Sequence, residues 1–208
     1  MMVIVHGALA RDLGRARSAL ATDPTVGDRR TPLAAQLQWM MTFLHHHHVS
    51  EDVGLYPLVK ERNPSAASLM ESMEAEHQAI GPGMAAIEGE ALLFARDDGP
   101  EQRARLVAAI DLLQASLIPH LEHEEGEFLP LVLSSISQEE WRQWDQRHNI
   151  RPKSLLDLGF TTQWLLDSAT PEDRQYVASR IPAFARALLL HGFAGSYRRH
   201  SSRCWNLQ

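Results

Sequence analysis

The chain has 208 residues with a formal net charge of −6, and 44% of its residues are hydrophobic and 22% charged. This composition is typical of a soluble globular protein with one sizeable core, and it argues against a nucleic-acid binder. A single cysteine, Cys204, excludes an internal disulfide framework and a thiolate metal cage. We expect a cytoplasmic protein, because the N-terminal apolar stretch is too short for a secretory signal and no later run reaches the length of a membrane span.

Proline and glycine clusters divide the first two thirds of the chain into four segments with helical periodicity. In chain order, the four predicted helices carry His6, His47, His77 and His120. The second helix begins at a Thr-Pro pair and has one continuous stripe, with steps that alternate between four and three residues. The stripe consists of Leu33, Leu37, Met40, Leu44, His47, Glu51, Leu55 and Leu58.

The fourth helix repeats this stripe 73 residues later. The repeated stripe consists of Leu106, Ile110, Leu113, Leu117, His120, Glu124, Phe128 and Leu131. A looser match pairs HGAL at His6 with HQAI at His77. Two helical hairpins that each bury one face predict an all-α, antiparallel up-and-down four-helix bundle over residues 1–135.

A histidine and a glutamate four residues apart interrupt each stripe: His47 with Glu51, and His120 with Glu124. In a helix their Cβ atoms lie roughly 5–6 Å apart, and their place on the stripe directs both pairs into the core. A buried ionised carboxylate is unfavourable unless it is paired or bound to a metal. Metal-free, hydrogen-bonded His–Glu pairs are the alternative, but two pairs in the same register favour a shared cation.

The predicted metal ligands are His6, His47, Glu51, His77, His120 and Glu124. Four imidazoles and two carboxylates without sulfur disfavour structural zinc, and they are too many for one tetrahedral ion. Two ions bridged by the two carboxylates, each with two terminal histidines, use every group once. We expect two iron ions with an oxo or hydroxo bridge, manganese or zinc being the alternatives, and open positions for O₂, peroxide or NO.

The other histidines near these pairs are expected to be exposed or hydrogen-bonded rather than ligands; they are His45, His46, His48 and His123. His45 is the strongest second candidate, and a slip of one turn could pair His123 with Glu127 instead. Asp52 and Glu125, which follow the ligand carboxylates, either hold imidazole N–H groups from behind or are solvated.

At these residues the chain resembles the hemerythrin-like HHE cation-binding family, whose pattern H…HxxxE…H…HxxxE it follows over about residues 1–135, with the tails YPLV and LPLV. The resemblance implies a non-heme di-iron centre. It also implies binding of, or reaction with, O₂, NO or peroxide, or a role in iron sensing. Oxygen-carrying members have an additional histidine one turn before the third-helix ligand, where this chain has Met73. This difference argues against reversible O₂ carriage and favours a more open, reactive site.

Residues 136–208 contain no further repeat and are expected to form a helical extension. A capping box at Ser137 and a Thr-Pro pair at 170–171 predict helix starts, and the last helix is expected to bend at Pro182. Two interpretations stay open. The extension is either a layer packed on the bundle for stability or dimerisation, or a lid over a substrate pocket with His148, His191 or Tyr197 facing inward.

Three functions are consistent with these features. The first is a di-iron oxidoreductase that reacts with O₂ or peroxide, with catalysis at the metal centre itself and a small organic substrate or peroxide consumed. The second is a non-catalytic O₂ or NO binder or sensor, and the third an iron-storage module. No nucleic acid and no membrane are expected as partners, and a homodimer is an open alternative.

Overall fold

The computed structural model describes residues 1–22 and 26–205, and these residues form helices and no strand. The predicted all-α class is confirmed, whereas the up-and-down order of the bundle helices stays a prediction. The chain divides into two compact units: residues 34–152, and residues 1–33 together with 153–208. The predicted domain boundary at residues 135/136 stays a prediction.

The unit of residues 34–152 contains both halves of the 73-residue repeat, and each half has a π-helical turn in its middle. We call these the first π turn (Glu51–Leu55) and the second π turn (Glu124–Phe128). The α-helices of this unit are α2 (Arg30–Ser50, which starts in the other unit), α3 (Tyr56–Arg62), α4 (Ala67–Phe94), α5 (Pro100–His123), α6 (Leu129–Ser135) and α7 (Gln138–Asp145), and a further π turn spans Gln146–Ile150.

The predicted stripes are buried from their first residue up to Leu55 and Phe128. At the last position the prediction is wrong, because Leu58 and Leu131 are only half-buried, while Val59 and Val132 are fully buried in their place. A π turn contains more residues than an α turn. Each stripe is therefore shifted by one residue after its π turn, in both repeats alike.

Helices α4 and α5 pack against each other along their length, and a glycine permits their closest approach. A Cβ atom on Gly83 would lie 2.7 Å from the Cα atom of Leu113. Since backbone cannot yield at such a distance, only glycine fits here. This contact holds the helix of His77 against the helix of His120.

The unit of residues 1–33 and 153–208 joins the N-terminal helix to the C-terminal helices. Its helices are α1 (Met2–Thr22), α8 (Leu155–Leu166), α9 (Pro171–Arg180), α10 (Ala183–Ala187) and α11 (Ala194–Trp205), with a 3₁₀ turn at Val26–Arg29 and a π turn at Leu188–Gly192. One apolar cluster of this unit is formed by Leu166, Val177, Ile181 and Leu189.

A buried carboxylate ties α1 to α8. Asp12 is fully buried, accepts the indole N–H of Trp164 at 2.9 Å, and pairs with Arg11 at 2.7 Å and Arg15 at 3.1 Å. Arg15 also reaches Asp167, which accepts the Tyr197 hydroxyl at 3.1 Å. These charge-assisted hydrogen bonds satisfy the buried carboxylate.

The structure confirms the capping box at Ser137, whose hydroxyl accepts the Glu140 N–H while the Glu140 side chain accepts the Ser137 N–H. The last predicted helix, in contrast, is interrupted rather than bent. Helix α9 ends at Arg180, and α10 starts after Pro182. Proline favours an extended conformation in the residue before it, and this breaks the helix at Ile181.

In the described residues, one helical stretch, Pro100–Ser135, is long and apolar enough to cross a membrane by length and composition alone. The sequence-based expectation that no run reaches this length is wrong by that criterion. A core helix of a soluble protein passes the same test, and this stretch contains the buried His120 and Glu124.

Candidate metal centre

Each π turn begins at a predicted ligand, Glu51 in the first and Glu124 in the second. A proline follows each turn, at Pro57 and Pro130, which are equivalent in the repeat. Proline lacks the N–H that an α-helix needs and its ring clashes with the carbonyl four residues back. The backbone widens instead, and the N–H of the residue before each proline bonds to the glutamate carbonyl five residues back.

Both His–Glu pairs lie in the core as predicted. His47 Nε2 is 3.4 Å from Glu51 Oε1, and His120 Nε2 is 4.0 Å from Glu124 Oε2. His77 Nε2 approaches the other oxygen of Glu51, at 3.7 Å. All five side chains are buried, and both glutamates are completely inaccessible to solvent. The structure thus brings five of the six predicted ligands into the unit of residues 34–152.

The surroundings of Glu51 disfavour its ionised form. Burial raises the pKa of Glu51 well above its usual range, and the charge of Glu124 raises this pKa further. Both oxygens of Glu51 and Nε2 of His120 are buried without a hydrogen bond to any described residue. Buried groups of this kind are unfavourable without a partner, and a bound cation is the partner that their chemistry fits.

Two further carboxylates hold the imidazoles from behind. His77 Nδ1 donates to Asp52 at 2.7 Å, and His120 Nδ1 donates to Glu76 at 3.0 Å. This leaves Nε2 of each ring for the core, which is the arrangement that orients metal-binding histidines. Of the two roles left open for Asp52, the structure shows the contact with an imidazole. For His120 the partner is Glu76, which sequence analysis did not single out because it has no equivalent in the repeat.

The same environment keeps His77 in the form that can bind a metal. Burial and the nearby His120 lower the pKa of His77 to about 4, so its ring is neutral at pH 7. Burial and the charge of Glu74 raise the pKa of Asp52 to about 6. Burial also opposes ionisation of Glu76, but hydrogen bonds from His120 and His123 outweigh it and lower the pKa of Glu76.

His48 is the residue of the His45–His48 run whose surroundings differ from the prediction. It is buried, and its ring stacks on His77 with a centroid distance of 4.0 Å and an interplanar angle of 11°. It meets His120 edge to face at 5.5 Å. One ring nitrogen from each of His48, His77 and His120 lies within 4.8 Å of the other two, close enough for a shared metal ion.

Tyr56, the first residue of α3, lies beside the same rings. Its hydroxyl is 3.3 Å from His77 Nε2, and its ring stacks on His77 with a centroid distance of 5.6 Å. Burial raises the pKa of Tyr56 above its usual range, as do the charges of Glu51 and Glu124. The phenol is therefore neutral and retains a proton at the edge of the site.

The remaining histidines of this region follow the prediction. His45 and His46 are exposed. His123 donates to Glu76 at 2.8 Å, and its Nε2 lies 3.6 Å from Glu127. The alternative His123–Glu127 pair therefore forms, but Glu127 is mostly exposed, so this pair lies outside the buried site.

His6, the sixth predicted ligand, lies on α1 in the other compact unit, and its side chain is buried. Its role as a ligand stays a prediction. The predicted lid residues His191 and Tyr197 belong to that unit as well, where His191 is exposed and Tyr197 donates to Asp167. The lid interpretation also stays a prediction.

Helix α7 and the turn after it cover the outside of the first π turn. The Trp144 indole donates to the Ser50 carbonyl at 2.9 Å, directly before Glu51. A Cβ atom on Gly54 would lie 2.7 Å from His148 Nε2 and 2.8 Å from Trp144 Cδ1. His148, a proposed lid residue, therefore packs on the backbone of the π turn.

Comparison with known proteins identifies one family. The family model described as Hemerythrin HHE cation binding domain matches residues 1–132. The match includes all six predicted ligands as well as His48, Asp52, Tyr56 and Glu76. No curated protein and no solved structure matches the chain.

Proposed function

The chain belongs to the hemerythrin HHE cation-binding domain family, and from this premise we propose that it is a non-heme di-iron oxidoreductase that reacts with O₂ or peroxide. The family membership and the His–Glu clusters make it a metal-binding protein. The identity of the metal as iron, the pair of ions and the oxidative reaction are the proposal.

One observation carries the proposal: two glutamates, equivalent in the repeat, interact inside a completely buried core lined with imidazoles. Burial and the charge of Glu124 raise the pKa of Glu51, so two such carboxylates are unfavourable in a core that holds no cation. They are a suitable arrangement for bridging two cations, each of which would neutralise both charges. Nitrogen and oxygen donors without sulfur suit iron.

Bound iron would supply the redox chemistry and the binding position for O₂ or peroxide. Glu51 and Glu124 would hold both ions, while His77 and His120 bind through Nε2. Asp52 and Glu76 fix the orientation of these two rings through Nδ1. The stripe residues one turn before and after each pair, Leu44, Leu55, Leu117 and Phe128, are fully buried and exclude water.

Tyr56 contributes a proton to the same site. Its hydroxyl keeps its proton at neutral pH and lies next to the coordinating edge of His77. In this position it can donate a hydrogen bond to a small molecule bound beside His77. A hydrogen-bond donor in an apolar pocket stabilises an added oxygen species that carries negative charge.

The test combines metal analysis of the full-length protein with its reaction after anaerobic reduction. We expect about two iron ions per chain, and rapid irreversible oxidation when O₂ or peroxide is added, with turnover of peroxide. A protein that contains no metal contradicts the metal centre itself.

A stable, reversible oxygenated spectrum contradicts the oxidoreductase and supports the non-catalytic binder or sensor. Many iron ions per chain, released on reduction, support storage. The Tyr56→Phe variant should retain its iron and its fold but oxidise more slowly, because the site has lost its proton donor.

A further inference from the structure

We propose that His48 is an additional metal ligand, which together with His77 and His120 gives one of the two ions three imidazoles. This inference rests on the proposed dinuclear centre and adds to it a residue outside the H…HxxxE pattern. If it is correct, the two ions have different surroundings despite the internal repeat.

The geometry of the three rings supports this assignment. His48 and His77 are parallel at 4.0 Å, His77 and His120 are edge to face at 4.8 Å, and His48 and His120 are edge to face at 5.5 Å. Two nitrogens that bind one metal at about 2.1 Å each lie roughly 3–4 Å apart. The three nitrogens lie within 4.8 Å of one another, so the rings need to move together only slightly to bind one ion.

The hydrogen bonds determine which ring atoms can bind. Asp52 and Glu76 occupy the Nδ1 atoms of His77 and His120, so Nε2 is the atom that each ring can offer, with the Tyr56 hydroxyl 3.3 Å from Nε2 of His77. His120 Nε2 is buried without a hydrogen bond in the described part of the chain. A bound cation is a partner that these buried imidazole nitrogens can share.

The neighbouring carboxylates complete the surroundings of this ion. Glu51 approaches His77 at 3.7 Å and Glu124 approaches His120 at 4.0 Å, so both reach the three-imidazole cluster. The residues that would hold this ion are therefore three imidazoles and two carboxylates, a nitrogen and oxygen donor set that suits iron. The residue one turn before His77 is the fully buried Met73, so α4 offers one imidazole and α2 supplies the third.

Only the first repeat has a histidine at the position of His48. The position equivalent to His48 in the second repeat is Leu121, which is buried as an ordinary core residue. The three-imidazole ion is therefore expected to be held more tightly than the other ion and to fill first during a metal titration.

The test uses Co²⁺ as the probe, titrated into metal-free full-length protein. Binding is followed by visible absorption and by proton NMR in water, where each cobalt-bound imidazole contributes one strongly shifted N–H signal. His48→Phe keeps an aromatic ring against His77 but removes the donor atom. His45→Phe makes the same change at an exposed position of the same run and is the matched control.

We expect the wild type and His45→Phe to bind two Co²⁺ ions per chain. His48→Phe should lose one shifted N–H signal, and its tighter site should weaken by at least about 100-fold, beyond the range seen for residues that only orient a ligand. Circular dichroism checks the fold, and His48→Leu, which copies Leu121, provides a second variant if phenylalanine is too large.

Two results separate the inference from the proposed function. A His48→Phe protein that binds two Co²⁺ ions with unchanged affinity and an unchanged number of signals overturns the role of His48 alone, which then only stacks on His77. A wild-type protein that binds no Co²⁺ overturns the dinuclear centre together with this inference. Recovery of the lost absorption in His48→Ala by added imidazole supports direct ligation.

Discussion

The two repeats share one plan for binding metal and differ in the side chains that surround it. Both have a histidine and a glutamate four residues apart and a π turn that starts at the glutamate. In both, a proline lies two residues after the last residue of the turn. The first repeat adds polar groups at positions where the second has apolar or exposed ones. His48 corresponds to Leu121, and Tyr56 corresponds to Leu129.

The residues that pack on the π turns and hydrogen-bond to the histidine rings also differ between the two repeats. The first π turn is covered by Trp144 and His148 and holds His77 through Asp52. In the second repeat, His120 is held by Glu76, which lies on α4 rather than in the π turn of that repeat. The repeated sequence therefore places a buried His–Glu pair in each half, while the side chains that surround the two pairs differ.

The largest expected effect tests what the repeats have in common. Glu51→Gln and Glu124→Gln should each lower metal affinity at least about 100-fold, because both carboxylates serve both ions. In the metal-free protein Glu51→Gln should instead raise the free energy of unfolding by about 1–3 kcal/mol, since a neutral amide replaces a carboxyl group whose ionised form is disfavoured in the folded state. Calorimetric titration and thermal denaturation measure the two effects.

Glu127→Gln is the matched control, because Glu127 is mostly exposed in the same π turn as Glu124. It should leave metal affinity and stability unchanged. If only one of the two buried glutamates matters for metal binding, the repeats are not equivalent and the bridging role is wrong.

The next effect compares the two carboxylates behind the rings. Asp52→Asn and Glu76→Gln should each lower metal affinity by about 10- to 100-fold, because His77 and His120 lose their fixed orientation. Glu71→Gln, an exposed change on the same helix as Glu76, should have no effect. Equal affinities for the wild type and the Asp52 and Glu76 variants would show that orientation comes from packing alone.

A smaller effect compares the two π turns themselves. Gly54→Ala should lower the free energy of unfolding by about 1–3 kcal/mol, because the new methyl group displaces Trp144 and His148. Gly126→Ala should raise it by roughly 0.5–1 kcal/mol, since open space surrounds that position and alanine favours helix. Urea denaturation measures both, and changes of the same sign contradict the packing of α7 on the first turn.

The smallest effect is in the pH dependence of the metal-free protein. The pKa of Asp52 is raised from 3.8 to about 6, so stability falls as pH rises through this window. The pKa of Glu76 is lowered below 4.5, so its contribution is present above pH 4.5 and is lost as pH falls through the folded pKa.

Asp52→Asn should therefore stabilise the metal-free protein above pH 6 with no gain below pH 4. Glu76→Gln should destabilise it at neutral pH and have no effect at strongly acidic pH. Both changes should be about 1 kcal/mol or less, because each carboxylate is about one third exposed. Thermal denaturation from pH 3 to 8 measures them, and parallel profiles for the two variants contradict the opposite shifts.

Sequence periodicity predicts the all-α class, both stripes up to their last residue and the two buried His–Glu pairs, because each of these depends on spacing along one helix. It misses the burial of His48, since one stripe describes one face of a helix. Helix α2 has two buried faces here, with His47 directed towards Glu51 and His48 towards His77. Glu76 is missed because its role depends on how α4 lies against α5, which no spacing within one helix shows.

The π turns were also missed, although a signal was present. Pro57 and Pro130 each follow a predicted ligand glutamate by six residues, and a proline inside a helical pattern removes one α-helical hydrogen bond and favours a local change of the helix. At the end of each stripe a leucine is followed directly by a valine, so the apolar pattern continues after the turn with either residue. Periodicity therefore could not show which of the two is buried.

The extra residue in each π turn has a consequence for how the chain can change. In an α-helix one residue corresponds to a rotation of about 100°, so the turn sets the rotational phase of everything that follows it. Before the turn, the rotational phase of the helix is the one that places the histidine and the glutamate on the same face. Downstream, at Val59 and Val132, it is set by the core. Each π turn thus allows the face that carries the histidine and glutamate and the buried face after the turn to have different rotational phases. Substitutions in one half of the helix therefore do not have to preserve the phase of the other half.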